Sequence, residues 1–586
     1  MHGSFGRILI VDLEARNWRE EALDPTVPET ALGGKGLASR LLYDLNPPGV
    51  DPFEPDNRLI FAAGPAAGSA VWGSSRYGVF TKSPQTGFYT ESYSGGRTPE
   101  AVDATGYDAI VLAGACQDPT VLVITPDGVR FHPAGELWGL DTYRAETEAL
   151  ARFAPSGHAK KGAVVIGPAG ENLCRFAVIE NDRWRSAGRT GAGAVMGAKK
   201  IKAIVFAGDR RRIPADPEGI RVQASRMAAL AKDHPGVKAY RTMGTPQMVK
   251  IINQVHAFPT RYWSEGVYDR WEAISAQALH DRCQVRPRAC LKCFMACGRL
   301  TTVLEGRHAG LTIEGPEYET IYAFGGLCCI DRIEEIAWLN DICDRLGLDT
   351  ISAGNLCGLA IEAARRGRID APLDYGRVDA LADLLHQIAA RQGPGEVLSQ
   401  GIRAAAKAWD LEDLAIHVKG LEPAGYDPRA LKGMGLAYGT SDRGACHLRT
   451  TFYKPEIAGM IAPDAVEGKA ELLIDFEDRL TLFDCLILCR FFRDLYDWEE
   501  LTRLVNLLTG LGLDRDGMRR RAAAVTDLVR SFNVREGLRP EDDRLPPRLH
   551  REALGTGETL PEADMEFMLA DYYRLRGWDD RGNPPV

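Results

Sequence analysis

Seven short apolar runs, RILIV, LIFAAG, YGVFTK, AIVLAG, VLVIT, AVVIG and KAIVFAG, occur before residue 210, separated by Gly/Pro turns. Short β-branched runs bounded by such breakers predict strands. After RRRIPADPEG the texture changes: DRIEEIAWLNDICDRLG, NLCGLAIEAARRG and FEDRLTLFDCLILCRFF repeat apolar positions at helical spacing. These predict helices. The Gly/Pro-punctuated stretch VKGLEPAGYDPRALKGMGLAYGTSDRGACH interrupts that helical texture, and long loops inside compact domains are often functional. The pattern predicts an α+β chain with a β-rich part over 1–210, a helical part over 211–420 and a second helical part over 421–586. The last stretch, RLRGWDDRGNPPV, reads as an exposed tail.

Composition narrows the function classes. With 586 residues, 45% hydrophobic and 26% charged, the chain is globular and long enough for two or three domains. Its 80 acidic and 71 basic residues are mixed, without the basic stripe that nucleic acid requires. The opening MHGSFGRILIVDLEARNWREE lacks a basic-then-apolar leader pattern, and no stretch reaches 18 uninterrupted apolar residues. A cytoplasmic protein that engages neither membrane nor nucleic acid is expected. Thirteen cysteines, an odd number, suit reduced thiols better than a disulfide framework.

Spacing gives the cysteines their chemistry. RACLKCFMACGR sets Cys290, Cys293 and Cys297 at intervals of three and four. A four-iron cluster needs a fourth thiolate, which FDCLILCRFF offers as Cys485 or Cys489. Four thiolates would also suit structural zinc, but zinc sites usually present two close pairs. Three close cysteines with one distant partner favour a [4Fe-4S] cluster. Cys116, Cys174, Cys283 and Cys357 read as buried or free thiols.

Several blocks occur in a familiar order: FGRILIVDLEARNWREE, LGGKGLASRLLYDLNPPGVDP, GPAAGSAVWGSSRYGVFTKSPQTGFYTESYSGG and GPAGENLCRFAVIENDRWRSAGRTGAGAVMGAKKIKAIV. Together with the cysteines they resemble the tungsten-containing aldehyde ferredoxin oxidoreductase family over nearly the whole chain. The resemblance implies a β-rich first domain holding two pterins, with two helical domains behind it. It also implies a [4Fe-4S] cluster and a tungsten or molybdenum ion bound by four dithiolene sulfurs. The activity implied is oxidation of an aldehyde to a carboxylic acid. Electrons would go to ferredoxin or a small iron–sulfur subunit, with or without a flavin subunit, in a homodimer or a hetero-oligomer.

The same resemblance implies residue roles. Arg76 and Arg189, within Gly-rich segments, would neutralise the pterin phosphates. Mg2+ bridging those phosphates would be held by backbone carbonyls and water, with Tyr93 or Ser94 at the position usually occupied by an asparagine. The pterin's guanidine-like edge suits carboxylates, supplied by Asp344, Asp349 and Asp484, and Arg449 would contact the second pterin. In CDRLGLDTIS, Gly347 should end one helix and Asp349 or Thr350 should cap the next. The family pattern has glycine where this chain carries Ile487, a departure that bears on the backbone between Asp484 and Cys489. In IEGPEYET, Glu319 corresponds to the catalytic base, with Tyr318 as its hydrogen-bonding neighbour and Glu317 as the competing choice. His447 in SDRGACHLRT corresponds to the family's active-site histidine, and Tyr426 would line the same pocket.

Two other readings use the same residues. A related subunit type reduces aromatic CoA esters, and there a cysteine can ligate the metal; Cys328 and Cys329 in GGLCCIDR are the candidates. A non-catalytic electron carrier would keep the cluster alone. His256 has no evident partner, and no Glu-x-x-His follows the active-site block, where Glu334 and Glu335 lack a matching histidine.

Overall fold

Residues 2–585 are described by the structure, a computed structural model. Twelve strands form two six-stranded sheets in the first part of the chain. The first sheet takes β1 (Arg7–Asp12), β2 (Asn17–Ala22), β3 (Leu59–Ala62), β4 (Tyr77–Lys82), β5 (Tyr89–Ser94) and β6 (Ala109–Ala113), in the order β2-β1-β6-β3-β4-β5. The second takes β7 (Thr120–Thr125), β8 (Gly128–Pro133), β9 (Lys160–Val165), β10 (Ile179–Asn181), β11 (Arg185–Ala187) and β12 (Ile201–Gly208), in the order β11-β10-β9-β12-β7-β8. Pairing is antiparallel except for β1 with β6 and β7 with β12.

The inner strands β1, β3, β6, β7, β9 and β12 are largely apolar because both of their faces are buried. Successive side chains alternate between two cores. Leu9 and Val11 of β1 meet Leu122 and Ile124 of β7 between the sheets. Ile8 and Ile10 face outward onto Leu37 and Leu42 of helix Gly34–Leu45 and Phe532 of helix Arg515–Arg535. On the outer face of the second sheet, Val121 and Val123 pack on Ala145 and Ala149 of helix Thr142–Phe153.

From Pro217 onward the chain is mainly helical, as the periodicity predicts. One continuous apolar core joins Phe176, Leu339, Leu356, Leu436 and Leu569. Gly347 ends helix Ile333–Leu346 at φ 76°, and Asp349 caps helix Thr350–Arg365 by accepting from Ile351 N and Ser352 N. That matches the reading of CDRLGLDTIS.

Two features depart from the sequence reading. A three-stranded antiparallel sheet, β13 (Cys283–Arg288), β14 (Gly298–Val303) and β15 (Thr312–Glu314), lies within the helical part and carries the cysteine loop between its first two strands. The RLRGWDD stretch is also not simply a free tail. Trp578 is buried, donates from Nε1 to Asp527 Oδ1 at 2.7 Å and stacks under Arg530. Among the described residues no helix is long and apolar enough to cross a membrane.

Candidate active site

Three sequence-distant segments meet at Gly73. Its N–H donates to Lys292 O at 2.8 Å and its carbonyl accepts from Cys489 N at 2.9 Å, so the 290–297 loop and Cys489 share one backbone anchor. Gly73 adopts φ 86°, and a Cβ there would meet the Phe492 ring at 2.7 Å, so only glycine fits. Leu291 N adds a bond to Gly96 O, and Lys292 Nζ pairs with Glu100 at 2.8 Å.

The four expected ligands are electrostatic neighbours. Burial, then Cys489 and Cys290, pushes the Cys293 thiol up to about 12. Burial, then Glu317, Cys489 and Cys293, holds Cys297 well above the usual thiol range. Among the described residues no three His, Cys, Asp or Glu side chains are close enough to share a single ion. Cys485 is buried with its thiol against the Gly36 backbone rather than in this group. Cys116, Cys174, Cys283 and Cys357 are buried.

Beside the cysteines lie two cavities of about 320 and 290 Å³ that share Arg76, Tyr93, Glu317 and Glu319 among their lining residues. Arg76 links them to the cysteines, with Nη1 3.6 Å from Cys489 Sγ and Nη2 donating to Tyr93 O at 3.1 Å.

Glu319 sits in a short helical turn, Tyr318–Thr320, that continues as a π-helical segment over Ile321–Gly326, a distortion frequent at functional sites. Its Oε1 lies 3.4 Å from His447 Nε2, and its Oε2 accepts from Gly425 N at 3.0 Å. Burial pushes the Glu319 carboxyl up to about 7, and burial with four nearby guanidiniums holds His447 well below the usual imidazole range. Glu319 is thus poised to exchange a proton near neutrality while His447 stays neutral. Tyr426 closes the wall, 5.7 Å from His447 between ring centroids and stacked on Tyr453 at 4.1 Å.

Two expected partners are placed differently. The Tyr318 hydroxyl donates to Gly425 O rather than to Glu319, so the Gly425 peptide is held by Tyr318 on one side and Glu319 on the other. Glu317 accepts from the Thr245 hydroxyl and neighbours Cys297, on the cysteine side of the cavity.

The larger cavity is lined by six arginines, Arg76, Arg189, Arg443, Arg449, Arg490 and Arg493. Arg443 Nε, Arg449 Nε and Nη2, Arg490 Nε, and Arg493 Nε and Nη2 are buried without an acceptor among the described residues. Buried donors of this kind call for an anionic ligand, and those of Arg449 and Arg490, beside Asp484, fit a phosphate-bearing pterin. Arg189 differs from the expectation for a phosphate ligand. Its Nε, Nη1 and Nη2 donate to Asp349, Ala445 O and Glu422 O, so it ties the cavity walls together.

The carboxylates divide the same way. Asp344 faces the smaller cavity, accepts from Asn340 Nδ2 at 2.8 Å, and is raised well above the usual range by burial and by Glu180 and Asp341. A donor-rich pterin edge would relieve that crowding. Asp349 is already engaged by its helix cap and by Arg189 at 3.2 Å. Asp484 receives Arg449 Nη1 at 3.2 Å and Arg490. Tyr93 and Ser94 donate their hydroxyl protons to Glu91 and Asn181, each at 2.6 Å.

Residues outside the site also resolve. Cys328 is buried against Ala323 O and Gly354 O, and Cys329 points to Gly326 O; neither lines a cavity. His256 has a partner after all, Glu558 at 2.8 Å, away from the cavities. Glu335 meets His308 at 2.9 Å, from a segment preceding the active-site block. Sequence reading missed Tyr240, Thr245 and Arg493 as cavity residues because none stands in a motif whose spacing signals chemistry, and it passed over Arg443 and Arg490 in segments read for His447 and Cys489.

Comparison with known proteins agrees with this geometry. Residues 8–208 match the family model "Aldehyde ferredoxin oxidoreductase, N-terminal domain" and residues 223–586 match "Aldehyde ferredoxin oxidoreductase, domains 2 & 3". The chain is 36% identical to the tungsten-containing aldehyde ferredoxin oxidoreductase of Pyrococcus furiosus, covering 100% of this chain and 98% of the relative. It is 35% identical to the protein of the same name from Thermococcus kodakarensis, with the same coverage. Among solved structures, the active site complex BamBC of benzoyl coenzyme A reductase with 1,5-dienoyl-CoA shares the fold, with a TM-score of 0.85 at 24% identity over 100% of this chain and 96% of that one. The chain therefore belongs to the aldehyde ferredoxin oxidoreductase family of oxidoreductases.

Proposed function

We propose that this protein oxidises aldehydes to carboxylic acids at a bis-pterin tungsten or molybdenum centre, in the cytoplasm, with Glu319 as the proton acceptor. The observation that carries the reading is the pairing of Glu319, at about 7, with a neutral His447 in a cavity rich in unpaired guanidinium donors. The reaction RCHO + H2O → RCOOH releases a pair of electrons and a pair of protons, breaking a C–H bond and forming a C–O bond. When bound, the metal–pterin group would supply the electron-pair acceptor and the iron–sulfur cluster one-electron relay to ferredoxin or a small iron–sulfur subunit.

Cys290, Cys293, Cys297 and Cys489 would hold the cluster, Asp344 and Asp484 would grip the pterin rings, and Arg449 with Arg490 would meet its anionic parts. The protein's own chemistry is simpler. Glu319 Oε1 accepts a proton from the attacking water or the aldehyde hydrate, while Gly425 N–H fixes Oε2. His447, neutral, hydrogen-bonds the carbonyl oxygen as charge develops there. Tyr426, Tyr453 and Tyr318 exclude bulk water.

Metal analysis of anaerobically purified protein, followed by assays of simple aldehydes and of CoA esters against a viologen dye, tests this reading. Tungsten or molybdenum together with iron, and aldehyde-dependent dye reduction, are expected. Iron alone would support an electron carrier, zinc alone a structural site, and reaction only with CoA esters the reductase alternative.

A further inference from the structure

We infer that Arg493 selects aldehydes that carry a second, anionic group, a carboxylate in the simplest case; this rests on the aldehyde-oxidising reading above. Arg493 is 2% exposed and lines the larger cavity. Its Nη1 donates to Arg490 O at 2.8 Å, which fixes the plane of the guanidinium. The two nitrogens left without an acceptor are Nε and Nη2. These lie on one edge of the guanidinium and present parallel N–H groups, the arrangement that grips a carboxylate at both oxygens.

The nearest acid does not satisfy that edge. Asp494 Oδ1 stands 3.9 Å from Nε, and the Asp494 carboxylate is held by Lys454 Nζ at 2.5 Å through Oδ2. Of the other three cavity arginines with free donors, Arg443 is held by Glu91 O and Cys446 Sγ, and two serve a different wall. Arg449 and Arg490 both bind Asp484 and both stack over Tyr93. Arg493 instead contacts the Tyr240 hydroxyl, a neutral partner outside good hydrogen-bond geometry, and neighbours Tyr453, and the Tyr240 ring meets Phe491 edge-on at 4.8 Å. A pinned cation with an open fork in an aromatic wall is built to receive a flat ligand with a terminal anion. A neutral aldehyde would leave the fork unmet.

The test compares 4-carboxybenzaldehyde with 4-methylbenzaldehyde, similar in size and differing in charge, in the cofactor-loaded wild type, Arg493→Met and Arg493→Lys. Loss of a bidentate charged hydrogen bond is worth about 10- to 100-fold. The wild type should therefore favour the carboxylated aldehyde in kcat/KM by about that factor. The ratio should collapse toward one in Arg493→Met and be intermediate in Arg493→Lys, which keeps the charge but not the fork. Equal kcat/KM for the two aldehydes in the wild type overturns the inference, whether or not the variants fold, as does an unchanged ratio in Arg493→Met. Calorimetric binding of the product acids separates this from the underlying reading. If the wild type oxidises neither aldehyde, the oxidase reading fails. Tighter binding of terephthalate than of 4-methylbenzoate, lost in Arg493→Met, would still support Arg493 as the anion site, and equal binding would overturn it.

Discussion

Glu319 Oε1 and His447 Nε2 stand 3.4 Å apart, joining the IEGPEYET segment to the long loop that ends in SDRGACHLRT. The two groups are driven in opposite directions by the same burial. The carboxyl rises to about 7 while the imidazole falls well below its usual range. One side chain therefore changes charge near neutrality and the other does not.

The pH dependence follows from that difference. A base must be ionised to accept a proton, and a carboxyl at about 7 is protonated below that pH. We expect kcat/KM for an aldehyde to rise with unit slope up to about pH 7 and level off above it, as a single ionising base requires. His447 should add no limb between pH 6 and 8. A profile flat from pH 5 to 8 would remove Glu319 from the base role.

The cysteine group makes a separate prediction. Cys297→Ser or Cys489→Ser should lower bound iron and sulfide and abolish the spectrum of a reduced cluster, because each removes one of four ligands. Retention of a full four-iron complement in both variants would exclude this ligand set.

Asp344 belongs to the pterin side. Asp344→Leu should cut tungsten or molybdenum content several-fold while leaving iron near the wild-type level, since Asp344 is not among the groups acting on the Cys293 and Cys297 thiols. Parallel loss of iron and metal would instead indicate a general folding defect.

Ile487 is a balance of opposing terms. It occupies the helix cap before Cys489 at φ 58° and ψ 51°, a conformation suited to glycine, yet its side chain is buried against the Gly34 backbone. Relief of left-handed strain favours Ile487→Gly by about 1–2 kcal/mol. Deleting a buried isoleucine costs about 2–5 kcal/mol and added chain freedom about 1 kcal/mol. The net expectation is a loss of about 3 kcal/mol, seen as a lower Tm. A higher Tm would show that the strain dominates.

Much of this architecture is legible in the sequence where local chemistry dictates it. The Gly347 cap and the Asp349 N-cap follow from residue type and spacing alone, and the seven apolar runs all become strands. The polar strand YTESYS is not legible, because the Glu91 charge is balanced by Lys35 and Arg449, partners distant in sequence. Likewise CQVRPR carries proline and exposed polar residues, and becomes a strand only by pairing with Gly298–Val303. The cysteines announce their chemistry by spacing, but their meeting point, the Gly73 peptide, is set by tertiary contacts. Arg493 and Tyr240 lie in ordinary helical texture and acquire a role only when the cavity forms.

The most direct test of the central claim is aldehyde oxidation by Glu319→Gln enzyme at metal and iron contents matched to the wild type. The amide keeps the shape and the Gly425 contact but cannot accept the proton, so turnover should fall by about 10²–10⁴-fold. Full turnover with normal cofactor content would contradict the assignment of Glu319 as the base.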